Sequence, residues 1–181
     1  KLLDSDNSYD LVFPSTYYID KMAREGLLQK LDVSKLDHFE DLDPNLVDRD
    51  FDKGNQYSVP YMWGSAGIGY NPDYVEEGAL TSWNDLWNDK YRDKLLLSND
   101  MREVFHVALA SLGFSGNTTD PDEIKAAYEK LTQLMPNVRA FNSDAARVPF
   151  MQGEVDAGLI WNGEVYQANQ EGVPVEYVYP K

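Results

Sequence analysis

The sequence predicts an α/β fold built on a mixed, mainly parallel sheet. Short apolar runs at residues 95–97 and 155–161 have the length and composition of buried strands. Each run is followed by a polar turn and then by a helical pattern. Strand and helix patterns that alternate in this way along a chain are typical of α/β proteins.

The first third of the chain predicts fewer regular elements. Residues 9–14 have the pattern of a short strand. Ser15 can cap a helix that closes at Gly26, because a hydroxyl suits the first position and glycine the last. Residues 27–52 are acidic and broken by Gly and Pro, which predicts mostly loop. Residues 57–71 are strand-like and rich in aromatic residues and glycine, so we interpret them as a crossover between two lobes.

The rest of the chain carries the alternating pattern. Residues 81–87 predict a short amphipathic helix. After the helix that follows residues 95–97, Asp120 supplies an N-cap for another helix, which Pro136 ends. The remaining predicted elements are, in order, a strand at 138–141, a short helix ending near Gly153, the strand at 155–161, a helix at 164–171 and a strand at 173–179.

Composition narrows the class of ligand. The chain has 181 residues, no cysteine and a net charge of −15. Nucleic acids and anionic membranes need basic patches, so this acidity disfavours both as partners and favours a cationic or neutral ligand. No stretch approaches the roughly 20 apolar residues of a membrane span, so we expect no direct membrane insertion.

Two acids, Asp100 and Glu103, stand three residues apart at the turn after residues 95–97. One interpretation is structural: Asp100 as N-cap and Glu103 at the third helical position have the arrangement of a capping box. The other is a cation site, because ligands of open α/β sheets bind beyond the carboxyl ends of strands. The helix dipole is expected to keep both acids ionised, so they would serve a cation even as caps.

The residues offer little support for catalysis. His38 and His106 are the only histidines, and neither neighbours the motif of a serine nucleophile. Glu103 and His106 match half of a di-metal helix motif, but no second copy occurs. A hydrolase that uses Asp100 or Glu103 as general base stays an alternative, although two acids on one helical turn cannot flank a sugar from opposite faces. We expect no catalytic residue, metal or cofactor.

Binding of a polyamine-like cation fits the pattern better. Carboxylates suit ammonium groups, and aromatic rings suit the methylenes and ammonium groups between them. Asp100, Glu103, Tyr17 and Trp161 all lie at predicted strand ends or in the turns that follow. Such positions converge on one cleft in this architecture.

Five stretches distributed over the chain carry a family resemblance. They are YDLVFPSTYY at 9–18, VPYMWG at 59–64, LLLSNDMREVF at 95–105, SGNTTD at 115–120 and GEVDAGLIWNG at 153–163. Through them the sequence resembles, over essentially its whole length, the bacterial spermidine/putrescine-binding proteins. These are the extracytoplasmic receptors of polyamine ABC importers.

The resemblance implies a type II periplasmic binding fold, whose two lobes close on the ligand by hinge motion. Residues 1–62 would be part of lobe one, and residues 63–181 most of lobe two. Six ligand-binding residues are implied: Asp100 and Glu103 as acceptors of amine protons, Tyr17 and Trp161 as aromatic walls, and Ser15 and Ser143 as weaker polar contacts. A periplasmic or surface-anchored location and an ABC transporter permease as partner are implied as well.

The chain resembles the middle of such a receptor, and it departs from the family by lacking the first strand and everything after Pro180. We therefore expect that, when this chain is expressed alone, its residues 1–60 are aggregation-prone or only partly folded. A receptor for another solute in the same fold, such as a sugar or a metal ion, is the alternative within the class. The preference between spermidine and putrescine stays open at this point.

Overall fold

The computed structural model of the protein describes residues 9–181. The chain divides into two compact units, Lys1–Trp63 and Gly64–Lys181. The assignment of residues 1–62 and 63–181 to two lobes of a receptor stays a prediction.

The first unit contains one α-helix, α1, over Thr16–Arg24. Ser15 is its N-cap, and Gly26 follows its C-cap with a left-handed backbone, φ +71°. The helix buries Ile19 and Met22 on one face. The predicted helix between Ser15 and Gly26 is therefore confirmed.

The predicted strand at residues 9–14 is wrong. No strand of residues 9–181 pairs with this segment, and the side chains of Leu11 and Phe13 are 78% and 74% exposed. A short apolar run becomes a strand only where a neighbour supplies ladder hydrogen bonds. The sequence pattern could not show that this neighbour is missing from the described residues.

The segment after α1 is mostly loop, as predicted. It includes three single 3₁₀ turns, at Val33–Lys35, Phe39–Asp41 and Lys53–Asn55. The buried Asp52 carboxylate orders the end of this loop, because it accepts hydrogen bonds from the amides of Gln56, Tyr57 and Ser58 and from the Ser58 hydroxyl.

The second unit alternates strands and helices. Its strands are β1 (Ala66–Tyr70), β2 (Leu95–Leu97), β3 (Val138–Phe141), β4 (Ala157–Trp161) and β5 (Glu176–Val178). Its α-helices are α2 (Met101–Ser111), α3 (Pro121–Leu134), α4 (Arg147–Met151) and α5 (Asn162–Gln170), with 3₁₀ turns at Trp83–Trp87, Asp89–Tyr91 and Met135–Asn137. The predicted helix at residues 81–87 is thus a 3₁₀ helix, and its Trp83 is buried in the core.

The five strands form one mixed sheet in the order β3-β2-β4-β1-β5. β2 is parallel to β3 and β4, whereas β1 is antiparallel to both β4 and β5. Four strands therefore point the same way, and β1 runs against them. The three connections that contain α-helices join strands that point the same way, since such strands need a crossover. The predicted mixed, mainly parallel sheet is confirmed.

Both faces of the sheet are covered, and β2 shows how. Leu95 and Leu97 belong to the apolar cluster that includes residues of α2 and α3, whereas Leu96 belongs to the cluster that includes residues of α4 and α5. All three leucines are fully buried. Successive strand side chains point to opposite faces, so a strand between two helical layers needs an uninterrupted apolar run.

Candidate functional site

A concavity lies at the edge of the sheet where β2, β3 and β4 end and where the antiparallel β1 begins. Its lining residues are Ala66, Ser98, Glu103, Asn142, Ser143, Ala146, Leu159, Ile160 and Trp161. The space between these side chains, about 220 Å³, is open to solvent. The concavity thus gathers side chains from the ends of β2, β3 and β4 and from the start of β1 around one open depression.

Asp100 begins α2 as its N-cap. Its Oδ1 accepts hydrogen bonds from the amides of Arg102 (2.9 Å) and Glu103 (3.4 Å). The Asp100 amide itself donates to Ser98 Oγ at 2.9 Å. A full capping box would direct that amide to the carboxylate of Glu103. The capping interpretation is therefore confirmed for Asp100 and wrong for Glu103, whose place as acceptor is taken by Ser98.

Glu103 is half-buried and lines the concavity. Burial raises the pKa of its carboxyl above the ordinary value of 4.5, and the charge of Asp100 raises it further, while Arg102 opposes the shift. Burial therefore acts against the effect that the helix dipole is expected to have on the pKa of this carboxyl. Within residues 9–181 no hydrogen bond or ion pair reaches the Glu103 carboxylate, so the cost of its burial is not offset there.

Ser143 and Trp161 reach the same concavity from two other strand ends. Ser143 lies in the turn after β3, where the Asn142 side chain accepts hydrogen bonds from the amides of Asp144 and Ala145 and the Asn142 amide donates to Leu97 O. Trp161 is the last residue of β4 and the N-cap of α5, and it is partly exposed. The structure thus brings together Glu103, Ser143 and Trp161.

Ser15 and Tyr17 lie in the Lys1–Trp63 unit. Ser15 is the N-cap of α1, and Tyr17 is in its first turn, with its ring centroid 4.5 Å from that of Tyr18. Their shared role with Glu103 and Trp161 stays a prediction.

Two polar lining residues were missed by the sequence analysis, Ser98 and Asn142. Each is the first residue after a strand, β2 and β3 respectively. Trp161 was predicted because polar or aromatic residues at the carboxyl ends of strands are candidate ligand contacts. The same rule would have found Ser98 and Asn142.

Neither a cluster of metal-ligating side chains nor a membrane-spanning helix occurs in residues 9–181. Across residues 9–181, no three His, Cys, Asp or Glu side chains are grouped closely enough to hold a metal ion. In the same part of the chain, no helix has the length and apolar character needed to cross a membrane. His106 is exposed on α2, and its ring packs against Gly116.

A mixed α/β sheet covered by helices on both faces, with a concavity at its strand ends, is typical of solute-binding proteins. Solved structures agree with this class. The spermidine/putrescine ABC transporter substrate-binding protein of Streptococcus pneumoniae matches with a TM-score of 0.75 and 37% identity, over 99% of this chain and 55% of that chain. The TpPotD lipoprotein of Treponema pallidum matches with a TM-score of 0.82 and 30% identity, over 99% and 57%. The predicted fold class is thereby confirmed.

The chain belongs to the bacterial extracellular solute-binding protein family, whose model matches residues 2–181. The spermidine/putrescine-binding periplasmic protein of Salmonella typhimurium is 56% identical over 176 residues, 97% of this chain and 51% of that protein. Spermidine/putrescine-binding periplasmic protein 1 of Haemophilus influenzae is 45% identical over 181 residues, 100% of this chain and 50% of that protein. The chain thus spans about half the length of these relatives. They are solute-binding proteins rather than enzymes, and their names support the predicted periplasmic or extracytoplasmic location.

Proposed function

We propose that this chain is part of a receptor that captures polyamines, spermidine or putrescine or both, for an ABC importer. The observation that carries the proposal is the half-buried Glu103 carboxylate beside Trp161 in the concavity at the sheet edge. The identity of 56% to a protein named for binding spermidine and putrescine supports it.

The chemistry of the concavity matches one end of a polyamine. An ammonium group that donates to the Glu103 carboxylate would replace the water that burial removes from this charge. Charge-assisted hydrogen bonds of this kind are stronger than neutral ones. The Trp161 ring offers a face to the adjacent methylenes or ammonium, a contact worth about 0.5–2 kcal/mol when partly desolvated. The Ser143 hydroxyl adds a neutral acceptor.

Asp100 would add a second negative charge one helical turn from Glu103. In the proposed receptor, Tyr17 and Ser15 supply an aromatic wall and a polar contact from the Lys1–Trp63 unit. That unit would then be part of lobe one and Gly64–Lys181 most of lobe two, with an ABC transporter permease as the partner of the loaded receptor. The net charge of −15 favours a cationic ligand over an anionic one.

Titration calorimetry on the protein in its natural full length tests the proposal. Spermidine and putrescine are the ligands, and butanediol is the matched control, because it keeps the four-carbon chain of putrescine and replaces both amines with neutral hydroxyls. We expect saturable heat with at least one polyamine and none with the diol. Heat no greater than dilution with both polyamines would refute the proposal.

A further inference from the structure

Trp161 stands at a place in the chain where backbone order normally declines. It is the last residue of β4 and precedes the first turn of α5, and strand ends and helix starts both leave backbone groups without partners. Since the rotamer of a side chain depends on its backbone angles, an aromatic wall at this position needs something that fixes the backbone on both sides.

Ser65 provides the fixed point. Trp161 pairs with Ala66 in the β1–β4 ladder, and the next ladder bond runs from the Asn162 amide to Ser65 O at 3.0 Å. The Asn162 side-chain Oδ1 accepts from the Ser65 amide at 3.3 Å and from the Gly163 amide at 3.0 Å. The residue after Trp161 is therefore bound to Ser65, the residue before β1, through both its main chain and its side chain.

Tyr177 of β5 holds Ser65 from the opposite side. Its hydroxyl donates to Ser65 O at 2.8 Å and lies 3.1 Å from Ser65 Oγ. The Tyr177 ring packs where a side chain at Gly67 would stand, since a Cβ there would come within 2.6 Å of Cζ and the hydroxyl oxygen. Burial raises the pKa of Tyr177, its hydrogen bond with Ser65 lowers it, and the charge of Glu103 contributes to the increase.

Gly64 leaves the space that this arrangement needs. A Cβ at Gly64 would lie 2.6 Å from Asn162 Oδ1 and 4.0 Å from Cε3 of the Trp161 ring. Any larger residue would push the Asn162 side chain away from the Ser65 amide.

We propose that Ser65, Asn162 and Tyr177 are positioning residues that hold Trp161 at the rim of the concavity before the ligand arrives. The effect of this positioning on ligand affinity rests on the proposed polyamine function. Pre-organised contact groups improve affinity because less ordering remains to be done on binding.

Tyr177→Phe and Tyr179→Phe are a matched pair for the test. Each substitution removes one phenolic hydroxyl, and the ring centroids of Tyr177 and Tyr179 are 5.0 Å apart. Within the described residues, no hydrogen bond involves the hydroxyl of the exposed Tyr179. The protein is labelled with fluorotryptophan, and the Trp161 signal is assigned by its loss in Trp161→Phe.

In ligand-free protein, Tyr177→Phe should shift or broaden the Trp161 fluorine signal and leave that of the buried Trp83 unchanged. Affinity for spermidine should fall by about fivefold, as expected for the loss of one net hydrogen bond. Tyr179→Phe should change neither. An unmoved Trp161 signal in Tyr177→Phe, or an equal change in Tyr179→Phe, would overturn the positioning role. A moved signal with unchanged affinity would overturn its link to binding.

Gly64→Ala is a second, independent test, with Gly163→Ala as control, because a Cβ at Gly163 meets nothing within 4 Å. Only Gly64→Ala should move the Trp161 signal, and equal effects of the two would count against the proposal. The fluorine measurements need no ligand. If the unmodified protein bound no polyamine, the proposed function would fail while the positioning role was still decided by these spectra.

Discussion

Two helices of the Gly64–Lys181 unit begin with the same arrangement of side chains. α2 follows the sequence Ser98-Asn-Asp100, and α3 follows Thr118-Thr-Asp120. In both, the hydroxyl accepts from the amide of the aspartate, at 2.9 Å in α2 and 3.1 Å in α3. In both, the aspartate Oδ1 accepts from the amide two residues later, at 2.9 and 2.8 Å.

Both helices also carry a glutamate at the third position, Glu103 in α2 and Glu123 in α3. The difference is in what precedes them. α2 starts directly after β2 at the sheet edge, so Ser98 and Glu103 line the concavity, whereas α3 follows a loop and its cap Asp120 is exposed. The same local pattern is thus a helix start in one place and a helix start plus a candidate ligand site in the other. Matched substitutions in α2 and α3 can separate the two roles.

The largest expected effect belongs to Glu103→Gln. Replacing the carboxylate by a neutral amide of the same shape should weaken spermidine and putrescine binding by about 1.5–3 kcal/mol, the range for hydrogen bonds to charged groups. We expect the upper part of this range because Glu103 is half-buried. Calorimetry on the full-length protein measures the loss, and Glu123→Gln is the control that should bind like the unmodified protein. Equal affinities of the two variants would reduce Glu103 to a structural residue.

Asp100→Asn should have a smaller effect on binding, nearer to about 1.5 kcal/mol, because Asp100 is not among the residues that line the concavity. The amide oxygen of asparagine is also a good N-cap acceptor, so the helix start should be preserved. Asp120→Asn makes the same change at α3. If Asp100→Asn and Asp120→Asn both left polyamine affinity unchanged, Asp100 would act as a cap and nothing more.

Stability should reveal what the two helix starts share. Asp100→Ala and Asp120→Ala each remove an N-cap acceptor and should each lower the free energy of unfolding by about 1 kcal/mol. Urea denaturation followed by circular dichroism measures both values. A loss at Asp120 without one at Asp100 would show that the carboxylate of Asp100 is strained or poorly solvated in the ligand-free protein, and would weaken the comparison.

The regular elements of the second unit could be predicted because their signals are local. Asp120 with Pro121 at its side defines the start of α3, and the apolar run Leu95–Leu97 identifies a strand that is buried on both faces. The strand prediction for residues 9–14 failed because a strand forms only beside a neighbouring strand. Their apolar run Leu11-Val12-Phe13 suits a strand, but no strand of the described residues pairs with it.

The candidate site was only partly predictable for a related reason. The chain position of Glu103 indicated a helix start at a strand end, but its burial depends on β3 and β4, which bring Ser143 and Trp161 to the same edge. The hydrogen bond between Ser65 and Tyr177 joins residues that are 112 positions apart. Such a contact leaves no periodic signal in the sequence.

The smallest expected effect is a change of stability with pH, again at Glu103. Its pKa is raised in the folded state, so between 4.5 and the raised value the folded protein holds a proton that the unfolded chain has released. The protonated carboxyl therefore favours folding at low pH, and this contribution is lost as pH rises through that window. Removing the charge should make ligand-free Glu103→Gln more stable than the unmodified protein at neutral pH, by less than about 1 kcal/mol after solvent screening. Below pH 4.5 the stabilities of the two proteins should converge.

Thermal melts across this pH range measure the difference in stability, with Glu123→Gln as the control for loss of a charge at the same helix position. A variant that is less stable than the unmodified protein at neutral pH would show that the Glu103 charge stabilises α2. In that case the helix dipole would outweigh burial, and Glu103 would resemble Glu123 more closely than the concavity indicates.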